Sequence, residues 1–121
     1  MRYSELFSSF ENLFPEDANV FEELKEKNSV DEEDGMHPLF GLVVVQYLKA
    51  FVLKSPVKAQ RAFDFFEIME ESDDPMIAEV LEFSVLENIL TDEDINYNLW
   101  INYCGEETKK AVEKIIKWLS P

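Results

Sequence analysis

The chain of 121 residues contains one histidine, His37, and one cysteine, Cys104. A cysteine nucleophile needs a base within hydrogen-bond reach. These two residues are far apart in the chain, and neither sits in a supporting motif. His37, just before Pro38, reads as a loop or helix-start residue. Cys104 reads as a small buried hydrophobe at a helix end. The acidic spacings point no more strongly to chemistry. Asp31-Glu-Glu-Asp-Gly35 opens like a calcium loop, but its glycine stands at position five rather than six, and position twelve is Leu42 rather than Glu. Asp92-Glu93-Asp94 has no glycine. Glu79 and Glu82 have the i, i+3 spacing of di-metal helical bundles, but no Glu-x-x-His pair accompanies them. No glycine-rich phosphate loop is present. The chain is therefore expected to be non-enzymatic, with no cofactor and no metal.

What remains is charge. From Ala62 to Glu107, a run of 46 residues, there are fourteen carboxylates and no Lys or Arg. Residues 1–35 carry a net −8, residues 36–61 +4, residues 62–107 −14 and residues 108–121 +3, for a total of −15. Like charge at this density repels itself while keeping a protein in solution. It also steers a basic partner and speeds encounter. Direct binding to nucleic acid or to anionic lipid is disfavoured, because their phosphates would be repelled.

The elements that must hold these groups are helical. Only three glycines occur, and no stretch sustains the alternation of a half-buried strand. Leu6, Phe10, Leu13 and Phe14 predict a first helix that stops at Pro15, and Asp17 is expected to cap a second through Val20, Phe21 and Leu24. Proline at a first helical position costs no hydrogen bond. On that logic helices are predicted over about 38–54, 56–71 and 75–90, with Ser55 and Asp74 as N-caps. Thr91-Asp-Glu-Asp94 resembles a capping box that opens a short helix to about Tyr103, and Glu106 to Leu119 closes the chain. The helix from Pro75 is apolar on nearly all faces, so it is expected at the centre. The fold class is all-α: a single antiparallel helical array of six to seven helices, compatible with a short solenoid-like curl. It divides into an acidic N-terminal segment, 1–35, and a main array, 36–121.

In an up-and-down array alternate connections share an end. Glu70, Glu71, Asp73 and Asp74 then fall on one face with Glu106 and Glu107, while Asp92, Glu93 and Asp94 project from the other end. Glu82 and Glu87 interrupt the apolar helix. They are expected at the rim of the core or as carboxylates set to meet a partner's Arg or Lys. These eleven residues are the candidate partner-binding set. Trp100 and Tyr97, if exposed, suit a weak homodimer as readily as a core.

One resemblance adds to this. Phe63-x-x-Phe66-Glu67-x-Met69-x-x-Ser72-x-Asp74, Glu79-Val80-Leu81-Glu82-Phe83-Ser84-Val85-Leu86-Glu87, Gly105-Glu-Glu-Thr108-Lys and Trp118-Leu119 together resemble small helical immunity proteins of bacterial polymorphic and contact-dependent toxin systems. The similarity covers roughly Leu39 to Leu119. It implies a cytoplasmic protein that binds and neutralises one cognate toxin domain, many of which are basic nucleases. The other reading of the charge is an acidic nucleic-acid mimic or regulatory adaptor that binds a DNA- or RNA-binding protein. The start of the chain shows no signal-peptide pattern. The single cysteine fits a reducing compartment, and the apolar stretch 39–53 is too short to span a bilayer.

Overall fold

The computed structural model describes residues 1–120. Among these the chain is all-α, with no strand and six principal helices. Helix α1 (Leu6–Glu11) follows a 3₁₀ turn at Tyr3–Glu5, and α2 (Ala18–Asn28) follows another at Pro15–Asp17. Helix α3 runs without interruption over residues 36–52, α4 is Pro56–Glu70, α5 spans residues 75–91 and α6 is Glu106–Leu119. Both α3 and α5 contain wide π-helical turns, at Leu39–Val44, Leu48–Val52 and Val80–Leu86.

Local chemistry explains most of these boundaries. Ser55 Oγ accepts from the backbone N–H of Lys58 at 3.3 Å, and Asp74 Oδ1 accepts from that of Met76 at 2.9 Å. Each is followed by a proline in the first turn, as the sequence predicts. Helix α2 ends at Ser29, a non-glycine residue in the left-handed region (φ 54°), where the backbone N–H of Val30 bonds back to Lys25 O at 3.1 Å.

Two predicted starts differ from the structure. Asp17 caps nothing; its carboxylate instead accepts from the Tyr47 hydroxyl and the Lys58 ammonium, which ties α2 to α3 and α4. Thr91 opens no helix. Its hydroxyl donates back to Glu87 O at 2.9 Å, so it closes α5, and residues 97–103 form two short 3₁₀ turns.

Helix α5 contacts α3, α4 and α6, as its composition predicts. It is not buried all round: Phe83 is 45% exposed. Where α3 and α5 cross, Gly41 faces Ser84, and a Cβ there would make ordinary van der Waals contact with Ser84 O at 3.6 Å. The N-terminal segment is part of the same core. Phe10 packs against Phe14, Phe21, Phe40, Phe65 and Phe66, with the Phe66 ring parallel at 5.8 Å. Trp100 is fully buried and stacks on Phe63 at 5.8 Å, so it is a core residue and not a dimerisation surface. A buried large aromatic of this kind contributes about 1.5–3 kcal/mol through its area alone.

Candidate functional site

The connection between α4 and α5 is a turn of residues 71–74 that holds Glu71, Asp73 and Asp74. Its shape is set locally: Ser72 Oγ accepts from the Asp74 backbone N–H at 3.1 Å, and Asp74 then caps α5. Glu71 and Asp73 are exposed, and Asp74 is half-buried. Among the described residues no Lys or Arg pairs with any of the three. Apolar side chains border the turn, with Ile68 54% and Met76 53% exposed. A cleft of about 440 Å³ is lined by Met1, Ile68 and residues 71–74. Uncompensated carboxylates beside exposed aliphatic groups form a surface suited to a cationic, partly apolar contact.

The other predicted acids lie in different surroundings. Asp92 and Asp94 share Lys49 at 3.0 and 3.3 Å. Glu107 and Glu106 flank Lys110 at 3.0 and 3.7 Å. Glu82 is buried and pairs with Lys114 at 2.9 Å. The cations missing from residues 62–107 are thus supplied by the flanking basic segments once the chain folds. Glu87 is half-buried and Glu93 is exposed, and neither has a cationic partner among the described residues. Glu70 turns inward from the acidic turn. Its Oε2 is buried without a hydrogen-bond partner, and burial together with the neighbouring Glu82 charge pushes its carboxyl up to about 8. The hydrogen bond that Lys114 donates to Glu82 holds the Lys114 ammonium above the usual lysine value, and burial opposes this only in part.

Glu67 has a role that the sequence reading did not assign. Its carboxylate accepts from the backbone N–H groups of Glu107 (3.0 Å) and Thr108 (2.8 Å) and from the Thr108 hydroxyl (2.8 Å). A side chain of α4 therefore caps α6 and seats Glu106 and Glu107 beside the end of α4. Burial raises the Glu67 carboxyl, but these three donors outweigh it and hold it below the usual range. Gly105 leaves room for the approach: a Cβ there would lie 2.4 Å from Glu67 Cδ and displace that side chain from its donors. Neither partner is marked in the sequence, because they are 40 residues apart.

Residues 7–119 match the model of a protein family described as Domain of unknown function (DUF7674). The chain belongs to this family. No curated protein and no solved structure matches it. The DUF7674 match reaches from Phe7 of α1 through Leu119 of α6, so it includes the N-terminal aromatic residues outside the resemblance noted above.

Within this DUF7674 domain the isolated reactive groups are occupied. Cys104 is buried, which pushes its thiol up to about 12, and its Sγ lies 3.9 Å from Trp100 O. His37 Nδ1 is 2.6 Å from Ser84 Oγ. Among the described residues no three His, Cys, Asp or Glu side chains gather as a metal-binding group, and no helix is long and apolar enough to cross a membrane.

Proposed function

We propose that this protein is a non-enzymatic binding protein whose acidic surface captures a cationic partner domain, in the manner of an immunity protein that neutralises its toxin. One observation carries the reading: Glu71, Asp73 and Asp74 crowd a single turn, have no cation of their own, and border a cleft edged by Ile68. A basic partner's Lys or Arg side chains supply the missing charge there, and Ile68 and Met76 supply apolar area. The exposed pair Lys110–Glu106/Glu107, which the Glu67 cap seats beside the end of α4, widens this surface, whereas Lys49–Asp92/Asp94 lies past the opposite end of α5. Solvated pairs of that kind contribute little to stability, so their carboxylates exchange readily to a partner's cations. The family resemblance supplies the class of partner, a toxin domain, with a basic nuclease the best electrostatic match.

The test begins with the protein isolated from its native cells and the basic protein recovered with it. Association of the purified pair is followed by stopped flow across a salt series. The reading expects 1:1 binding with an association rate that falls steeply as salt screens the charges. A salt-independent rate, or loss of DNA by a DNA-binding partner on complexation, would move the assignment to apolar docking or to nucleic-acid mimicry respectively.

A further inference from the structure

Glu70, Glu82 and Lys114 form a second cluster that the proposed binding surface does not use. Each comes from a different helix: α4, α5 and α6 in turn. Two carboxyls face one ammonium. Lys114 Nζ bonds Glu82 Oε1 at 2.9 Å, and the Glu82 side chain is 9% exposed. Glu70 Oε2 has no surface and no partner. The charged groups facing Glu70 are Glu82 from α5, Lys114 from α6 and Glu67 one turn back on its own helix. The cluster is one positive charge short. A proton on Glu70 corrects this: the neutral carboxyl becomes a donor beside the Glu82 carboxylate, and the orphan atom gains a role.

The same residues connect to an exposed aromatic pair. Lys114 Nζ lies 5.2 Å from the centroid of the Trp118 ring, one turn further along α6. Trp118 stacks on Phe83, the residue after Glu82, at 5.8 Å and 16°. Both rings are about half exposed, at 53% and 45%. Cluster and stack therefore span the α5–α6 contact together.

We propose that Glu70, Glu82 and Lys114 form a proton-dependent latch that seats the C-terminal half of α6 and so sets the geometry of the exposed Phe83–Trp118 face. With the proton in place the cluster is neutral, and α6 is held by the Glu82–Lys114 bond. Once the proton leaves, two carboxylates compete for one ammonium in a poorly solvated space. Repulsion and water entry then loosen Lys114 from its place over Trp118. Folding takes up this proton wherever the folded carboxyl is protonated and the unfolded one is not, between the ordinary carboxyl value of 4.5 and about 8. Stability from the latch therefore falls as pH rises through that window.

The test uses the full chain labelled with ¹³C at the glutamate carboxyls and ¹⁵N at the indoles, titrated by NMR from pH 5 to pH 9.5. The carboxyl resonance that disappears in Glu70→Gln is expected to titrate near pH 8, and the Trp118 indole, assigned by its absence in Trp118→Phe, is expected to shift with the same midpoint. In Glu70→Gln, which keeps the neutral form, that indole shift is lost. A Glu70 carboxyl that titrates below pH 6 overturns the proposal, and so does a Trp118 indole that stays still while Glu70 titrates. If a variant fails to fold, the wild-type resonances are assigned by through-bond triple-resonance spectra, and both outcomes are read there.

Discussion

A carboxylate placed across the start of a helix from another helix does two jobs, and Glu67 does both. It satisfies backbone donors at the N-terminus of α6, which otherwise lack partners, and it joins α4 to α6. Replacing such a cap by Ala typically costs about 0.5–2 kcal/mol, so Glu67→Ala is expected to lower stability by that amount in urea denaturation. Because the folded Glu67 carboxyl is held below its ordinary value of 4.5, its contribution is present above that value and is lost as pH falls through the lower, folded one. Gly105→Ala acts through the same contact. Its Cβ displaces the Glu67 carboxylate, so a double-mutant cycle should show Gly105→Ala costing much less in the Glu67→Ala background. Ser55 and Asp74 were legible as caps because their donors lie two or three residues away. The donors bonded by Glu67 follow only from the packing of α4 on α6, which no local pattern encodes.

At the scale of elements, periodicity located α4, α5 and α6 closely, since each combines a marked start with apolar residues at three- and four-residue spacing. The stretch 91–103 departs from the expected short helix for a physical reason. Thr and Asp serve equally well at either side of a helix end, because their short side chains bond backbone donors or acceptors as the chain requires. Here the Thr91 hydroxyl donates backwards and Asp92 accepts from the Asp94 backbone N–H at 2.9 Å. The connection is held by Trp100, which the sequence left open between surface and core. Trp100→Ala should remove about 3–5 kcal/mol of stability in the same assay. Asp17 has a parallel role at the start of α2. Burial works against its carboxylate, but Lys58 and Tyr47 hold it below its ordinary value. Asp17→Ala leaves both partners unsatisfied, and such loss typically costs about 1–3 kcal/mol.

At the scale of the whole molecule the charge pattern acquires a shape that the linear sequence does not show. The acidic run and the basic segments 36–61 and 108–121 look separate in the chain, yet Lys49, Lys110 and Lys114 fold back onto Asp92, Asp94, Glu106, Glu107 and Glu82. Within the 62–107 run, acids left without a cation among the described residues gather at the 71–74 turn and along α5, and Asp31, Glu33 and Asp34 form a second unpaired group in the N-terminal segment. The surplus was legible; its location required the tertiary pairing. Self-repulsion at that turn opposes folding, so Glu71→Gln/Asp73→Asn/Asp74→Asn, in which Asn preserves the cap, is expected to be at least as stable as the wild type. The affinity of this triple variant for the basic partner recovered with the native protein, measured beside the wild type by calorimetry at fixed salt, is the most direct test. The account predicts binding at least about tenfold weaker, or about 1.4 kcal/mol, with the fold intact; equal affinity of the two proteins would contradict it.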